Sequence, residues 1–239
     1  MNIFISLITA HLFTDFVLQT KTDVIRKSEL LIFLKHITLT SVTAYLLVGV
    51  WSLWYIIPLV FVLHGLIDFI KLKLSPKFNK YQFLIFSIDQ IMHLLSLIFI
   101  SYIFAGSEAA SISFYIPYYY DVLIFISALI LITKAGGIAV GLFVKPFVDQ
   151  LKNFEDRGFI NGGKIIGYLE RFLIVLFIIT GNFSSVGFLV AAKSIFRFGE
   201  LLNSHNRKEA EYIIIGTFSS FSYAIVIGFT LNNYITYFI

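Results

Sequence analysis

Histidine and aspartate recur at a fixed spacing in the apolar first hundred residues of the chain. Four segments each carry a histidine, and in three of them an aspartate lies four residues away. A spacing of four places two side chains on one face of a helix. Ionisable groups inside a membrane are costly and are functional by default, so the pattern predicts one polar site built from four helices. The residues are His11 and Asp15, His36, His64 and Asp68, and Asp89 and His93.

The composition is that of a membrane protein. Of the 239 residues, 58% are hydrophobic and 13% are charged, whereas soluble domains carry roughly 25% charged residues. The chain has no cysteine, which excludes disulfides, thiolate metal ligands and cysteine nucleophiles. We therefore predict a multi-pass membrane protein with membrane lipids as its surroundings. No nucleic-acid partner is expected, because the basic residues are spread over short connections.

The fold class predicted is all-α, a polytopic transmembrane helix bundle of about eight spans. Among the connections, only alternate ones contain basic residues, at 21–29, 73–82, 144–163 and 203–209, and both ends of the chain lack lysine and arginine. The positive-inside rule then places these connections in the cytoplasm and both termini outside. The predicted spans are approximately 2–20, 30–49, 51–72, 83–104, 119–143, 164–181, 183–202 and 210–237.

This orientation gives the three pairs one common depth, with each histidine deeper than its aspartate. We expect a pocket that opens to the cytoplasm and is walled by the first four spans. Gln19 and Gln90 are predicted to hydrogen-bond the aspartates. The cluster belongs to a predicted N-terminal membrane half, residues 1–104, followed by a C-terminal half, residues 105–239, in one integrated membrane domain.

The C-terminal half has a second group of charged residues. The simplest interpretation is a set of interhelical ion pairs that neutralise one another. The alternative is an anion or lipid-headgroup site, for which arginine is well suited. The residues are Glu170, Arg171, Lys193, Arg197 and Glu200.

Several motifs together resemble a bacterial integral-membrane family, domain of unknown function 3307. In the N-terminal half they are AHLFTDFVLQ (10–19), LKH (34–36), LHGLID (63–68) and IDQIMH (88–93); in the C-terminal half they are GKIIGYLER (163–171), AAKSIFRFGEL (191–201) and AEY (210–212). The resemblance implies a polytopic inner-membrane protein and no particular activity. A looser similarity, to membrane-bound metal-dependent hydrolases, rests on the His/Asp pairs alone.

The favoured functional hypothesis is a divalent-metal-dependent hydrolase. The four histidines, His11, His36, His64 and His93, are the predicted metal ligands, and Asp15, Asp68 and Asp89 are predicted as ligands, catalytic groups or orienting partners. Four imidazoles and three carboxylates suit one Zn²⁺ or two divalent ions, with manganese or iron as alternatives. Such a site hydrolyses phosphoesters, so a lipid or a small phosphoester is the expected substrate.

Two other hypotheses use the same residues. A proton or metal-ion transporter uses chains of His and Asp within the membrane, but the outer halves of these spans are almost wholly apolar. A structural or partner-binding scaffold needs the His–Asp pairs only as interhelical hydrogen bonds, each worth about 0.6–2 kcal/mol in membranes.

Overall fold

The computed structural model describes residues 2–106, 116–151, 159–201 and 207–238, without the side chains of 196–201, 207, 237 and 238. These residues form helices and short connections with no strand among them, which confirms the predicted all-α class. The helices are α1 (Asn2–Phe13), α2 (Lys21–Ile25), α3 (Leu30–Val48), α4 (Ile56–Leu74), α5 (Gln82–Ile103), α6 (Tyr119–Ile130), α7 (Gly136–Val148), α8 (Gly162–Ile179), α9 (Phe183–Leu201) and α10 (Arg207–Phe238).

Four helical stretches in the described ranges are long and apolar enough to cross a membrane. They are Leu30–Val48, Asn79–Ile103, Tyr119–Val148 and Lys208–Thr236. Shorter apolar helices cover Asn2–Leu18 and Phe183–Ile195. The chain therefore has the helices of a membrane protein, and the count of eight spans stays a prediction.

Helices α4 and α8 have 19 and 18 residues, about the length of the shortest of these stretches, and each contains three charged residues. In α4 the charged residues belong to the predicted site or its mouth. They are Asp68, Lys71 and Lys73 in α4, and Lys164, Glu170 and Arg171 in α8.

The helix α5 shows an inverted distribution of polarity. Asp89 and His93 are buried, whereas Ile91, Leu95 and Phe99 are more than half exposed. A helix of a water-soluble protein turns its apolar face inward and its charged face outward. A buried charged face and an exposed apolar face fit a surrounding hydrocarbon phase.

The described chain packs as two units, Met1–Ile130 and Leu131–Ile239. In the first unit, α1 lies against α3, α5 and α6, while α4 packs between α3 and α5. In the second unit, α10 packs against α7 and α8, and α9 against α8. The predicted division of the chain lies after residue 104; in the structure, α6 also packs in the first unit, against α1.

The apolar core of the first unit fills one end of the helix bundle. Its members come from the beginnings of α1 and α4 and from the ends of α3 and α5, which all lie away from the basic connections. Leu7, Ile56 and Ile100 are among its fully buried side chains. The polar pairs occupy the opposite end of the same helices, so the bundle is apolar at one end and charged at the other.

A π turn, Thr14–Leu18, follows α1 directly. The wider turn of a π helix adds a residue to the helical repeat and is frequent at functional sites. The Thr14 hydroxyl donates to the carbonyl oxygens of Ala10 (2.9 Å) and His11 (3.2 Å), which stabilises the irregular turn. Asp15 lies within this turn, so its direction is set by the π geometry rather than by a regular helix.

The second unit contains another π turn, Leu131–Ala135, between α6 and α7. Arg171 is buried and donates from Nε to the carbonyl oxygen of Ile132 (2.5 Å) and from Nη1 to Ser220 Oγ (2.9 Å). The Tyr223 hydroxyl donates to the carbonyl oxygen of Leu131 (3.1 Å). Side chains from α8 and α10 thus satisfy carbonyls of the irregular turn.

Gly136 permits this arrangement, and its replacement tests it. A Cβ at Gly136 would lie 2.7 Å from Tyr223 Cε1 and 2.8 Å from the carbonyl oxygen of Leu131, whereas a Cβ at Gly141 would meet nothing within 4 Å. We expect Gly136→Ala to lower the free energy of unfolding by about 1–3 kcal/mol through overpacking. Gly141→Ala, in the same helix, should leave it unchanged or raise it by about 0.5–1 kcal/mol. Equal thermal midpoints for the two variants in detergent would contradict this packing.

Candidate functional site

The structure brings all seven predicted His and Asp side chains together inside the first unit. None of their side chains is more than 8% exposed. They come from α1 with its π turn, α3, α4 and α5, as the spacing predicted. Their roles as ligands or catalytic groups stay predictions. The residues are His11, Asp15, His36, His64, Asp68, Asp89 and His93.

Three ligand atoms form a nearly equilateral triangle at the centre of the cluster. His36 Nε2 lies 3.1 Å from His64 Nε2, and Asp15 Oδ1 lies 3.4 and 3.6 Å from these two nitrogens. Tetrahedral ligands at 2.0–2.2 Å from Zn²⁺ are separated by about 3.3–3.6 Å. The triangle therefore has the dimensions of one face of a tetrahedral metal site.

Asp68 lies against the same two imidazoles. Its Oδ2 is 3.3 Å from His36 Nε2 and 3.4 Å from His64 Nε2, and the residue has no exposed surface. His36 has no aspartate four residues away, but it contacts both Asp15 and Asp68 across helix interfaces. The site is thus built by contacts between helices as much as by the spacing within them.

The pairs within single helices are loose. His11 Nδ1 lies 3.6 Å from Asp15 Oδ1, and His93 Nδ1 lies 3.7 Å from Asp89 Oδ1. These separations are too long for hydrogen bonds. The spacing of four residues therefore places the groups in one site without pairing them to each other.

His93 is held by the backbone of its own helix. Its Nδ1 donates to the carbonyl oxygen of Asp89 at 2.9 Å. Because a carbonyl oxygen can only accept, Nδ1 carries the proton and Nε2 carries a lone pair. This is how many metal-binding histidines are oriented. The ring stacks on that of His11, with centroids 4.7 Å apart.

Several acceptor atoms at the site have no hydrogen-bond partner among the described residues, although all are buried. Buried polar groups normally have such a partner, and an unpaired one is costly. Every one of these atoms is a lone-pair donor of the kind that binds a cation. They are His11 Nδ1, Asp15 Oδ1, Asp68 Oδ1, Asp89 Oδ1 and His93 Nε2.

Lys27 is a site residue that the sequence analysis missed. It lies in the basic connection after α2, yet it is buried, and its Nζ lies 2.7 Å from Asp68 Oδ2. Nothing in the sequence separates it from its neighbours, because basic residues in this connection are explained by topology alone. The connection is therefore part of the site rather than only a link between spans.

The start of α2 is fixed by a capping box. Asp23 N donates to Thr20 Oγ1 at 3.1 Å, and Thr20 N donates to the Asp23 carboxylate at 3.1 Å. Hydrogen bonds from the Thr20 side chain and backbone hold the pKa of Asp23 below its usual range. The cap anchors the short helix whose next turn presents Lys27.

Lys71 and Gln90 both contact Asp89. Lys71 Nζ lies 2.6 Å from Asp89 Oδ2, and Gln90 Nε2 donates to the same oxygen at 3.0 Å. Gln90 Oε1 also lies 3.4 Å from His11 Nε2. The predicted role of Gln90 agrees with these contacts. The prediction for Gln19 does not, since Gln19 Nε2 is buried without a hydrogen-bond partner in the described part of the chain.

The predicted charged group of the C-terminal half divides into different kinds of contact. Glu170 and Lys193 form the expected ion pair, at 2.6 Å. Among the described residues, the Arg171 guanidinium donates to neutral oxygens of the π turn and of Ser220. The side chains of Arg197 and Glu200 lie outside the described residues.

A small cavity adjoins the site on the side of the apolar core. It has a volume of about 10 Å³ and is lined by His11, His64, Thr40 and Ser96 together with apolar side chains. This is about the space that one water molecule needs, and four polar side chains are enough to hold it.

The fold and the site define the class of the protein as an all-helical membrane-type protein with a buried His/Asp cluster. The family model described as Protein of unknown function (DUF3307) matches residues 3–123, just over half of the chain. The chain belongs to this family, as its motifs predicted. No curated protein and no solved structure matches the chain. The comparisons do not show the looser similarity to membrane-bound metal-dependent hydrolases.

The role of Lys27 as a buried counter-ion can be tested by removing its ammonium group. Lys27→Ala leaves the Asp68 carboxylate buried without its nearest cation, and we expect a loss of about 3–5 kcal/mol in the free energy of unfolding when a chelator is present. Arg26→Ala is the matched control. It breaks an exposed pair with Glu29, 2.7 Å long, whose loss should leave the free energy of unfolding almost unchanged.

A double variant, Lys27→Ala with Asp68→Asn, should recover part of the loss because the uncompensated charge is gone. Denaturant unfolding in detergent gives the free energy of unfolding of the parent, the two single variants and the double variant. Similar losses in Lys27→Ala and Arg26→Ala would mean that Lys27 is not a buried counter-ion.

Proposed function

We propose that the chain is an integral protein of the bacterial inner membrane that acts as a divalent-metal-dependent hydrolase. The observation that carries this proposal is the triangle of His36 Nε2, His64 Nε2 and Asp15 Oδ1, with edges of 3.1–3.6 Å, inside a buried cluster of lone-pair donors. These groups hold the cation. Two imidazoles and one carboxylate favour Zn²⁺, and Mn²⁺ or Fe²⁺ are the alternatives.

A catalytic metal supplies an activated water, whose pKa falls to about 7, and polarises the oxygen of a phosphoryl or carbonyl group. The chain supplies the geometry and the charge balance. Asp68 Oδ2 lies 3.3 and 3.4 Å from the same two imidazole nitrogens, so it adds a further candidate ligand atom beside the triangle. Lys71 is partly exposed and can attract an anionic group at the entrance of the site. A lipid or a small phosphoester is the substrate class that fits.

The distribution of polarity supports a site that is reached from one side. Apolar side chains such as Leu7, Val60 and Ile100 line the cavity next to His64 and belong to the apolar core at that end of the bundle. A transporter of protons or metal ions would need a polar route through this core. A scaffold would need the polar groups only to pair with each other, whereas His93 Nε2 and Asp68 Oδ1 lack hydrogen-bond partners among the described residues.

The proposal includes the eight-span topology with both termini outside. Because the chain has no cysteine, a single introduced cysteine reports its own location. Asn182 and Lys77 are both exposed in connections between helices. We expect a membrane-impermeant maleimide to label Asn182→Cys in intact spheroplasts and Lys77→Cys only after permeabilisation. Labelling of Lys77→Cys in intact spheroplasts would reverse or break the proposed topology.

Metal content is the first test of the function. Detergent-purified protein, loaded with Zn²⁺, Mn²⁺ or Fe²⁺ and then desalted, should retain metal. The His64→Ala, Asp68→Ala double variant should retain none, because it lacks ligands of the triangle and its neighbour. Glu29→Gln, which removes an exposed carboxylate, should keep the full content. A monodisperse elution profile and a cooperative melting curve show that each variant is folded.

Hydrolysis is the second test, with bis(p-nitrophenyl) phosphate as the soluble substrate and phosphatidic acid in mixed micelles as the lipid. We expect metal-dependent turnover that falls by more than about 100-fold in Asp15→Asn, since residues that merely orient a ligand already cost 10–100-fold. Metal binding without turnover, together with proton or metal flux in liposomes, would contradict the hydrolase proposal and support the transporter hypothesis. A folded parent that binds no metal would overturn the proposal.

A further inference from the structure

A second set of ligand atoms converges next to the triangle. One ligand atom from each of Asp68, Asp89 and His93 lies within 4.8 Å of the others. All three residues are buried, with side-chain exposures of 0–2%. They come from α4 and α5, whereas the triangle uses α3, α4 and the π turn after α1.

Each of these residues has an atom that can only accept. Asp68 Oδ1, Asp89 Oδ1 and His93 Nε2 have no hydrogen-bond partner in the described part of the chain. His93 Nε2 carries a lone pair because Nδ1 donates to the carbonyl oxygen of Asp89. Buried carboxylate oxygens and a buried imidazole lone pair without partners are costly unless a cation binds them.

The two lysines do not use these atoms. Lys27 Nζ lies 2.7 Å from Asp68 Oδ2, and Lys71 Nζ lies 2.6 Å from Asp89 Oδ2. Each ammonium therefore holds one oxygen of its carboxylate and leaves Oδ1 free to bind a metal. The lysines orient the carboxylates, as hydrogen-bonded partners of metal ligands commonly do.

Asp68 connects the two sets of ligands. Its Oδ2 lies 3.3 and 3.4 Å from the triangle nitrogens of His36 and His64. Its Oδ1 is free to serve the second set. A carboxylate that offers one oxygen to each of two ions bridges them, and hydrolytic metal pairs are about 3.5–4 Å apart.

We propose that Asp68, Asp89 and His93 form a second divalent-cation site, bridged by Asp68 to the cation of the triangle. The inference rests on the proposed function for the first ion. Two carboxylates and one imidazole favour Mn²⁺ or Zn²⁺. Two dications and two ammonium groups outweigh the charge of three carboxylates, so the loaded site binds an oxyanion. A phosphoester, clamped between two ions, is the substrate class that this charge selects.

The test is the stoichiometry and affinity of Mn²⁺ binding to the full detergent-purified chain, measured by mass spectrometry and by calorimetry. The parent and Glu29→Gln should bind two Mn²⁺ per chain, with spin coupling between the ions in the electron paramagnetic resonance spectrum. Asp89→Asn and His93→Asn should each bind one, without that coupling. His36→Ala should also lose one ion, but from the other site.

Lys71→Met should strengthen metal binding rather than weaken it. Loss of an ammonium beside Asp89 removes repulsion of the second cation, so its Mn²⁺ affinity should increase by on the order of tenfold. A parent that binds one Mn²⁺, lost in His36→Ala and unaffected by Asp89→Asn and Lys71→Met, would overturn the second site and leave the proposed function standing. A folded parent that binds no divalent ion would overturn both.

Discussion

Burial of three carboxylates in an apolar helical unit is the constraint on which the first half of the structure depends. An isolated charge loses several kcal/mol of hydration on burial, and this loss is tolerable only when cations and hydrogen bonds surround it. The Asp68 carboxylate contacts the Lys27 ammonium and two imidazoles, and the Asp89 carboxylate contacts Lys71 and Gln90. These contacts draw α3, α4, α5 and the connection after α2 to one end of the bundle, and apolar packing holds the other end.

Much of this site could be predicted from the sequence because its signal is local. A histidine and an aspartate four residues apart must share a helix face, and a polar face in an apolar span must turn inward. Contacts between helices have no such signal. His36 has no partner in its own helix, and Lys27 is hidden among basic residues that topology already explains. The π turn that directs Asp15 leaves no pattern in the spacing that we could recognise.

Arg171 illustrates a different limit. An arginine next to Glu170 and within reach of other charged residues suggests a carboxylate partner. In the structure its guanidinium donates to backbone carbonyls of a π turn and to Ser220. Irregular backbone offers acceptors that a sequence does not show, so residue type alone did not indicate these partners. Gly136 lies against this contact, where a Cβ would meet Tyr223 and the carbonyl oxygen of Leu131.

The segment that matches the family, residues 3–123, lies within the first unit. The buried cluster is therefore a property of the part of the chain by which the family is recognised. The second unit contains its own buried charge and its own irregular turn, and it makes these contacts with its own helices. The family relationship thus concerns the unit that holds the candidate site.

The two buried ion pairs share an order along the chain. Lys27 precedes Asp68, and Lys71 precedes Asp89. Membrane proteins are synthesised from the N-terminus, so in each pair the cation is made before the carboxylate that it will meet. A nascent α4 can bury Asp68 against a lysine that has already been made, and α5 can do the same with Asp89. The direction of synthesis thereby gives α4 and α5 a counter-ion as each of them packs into the bundle.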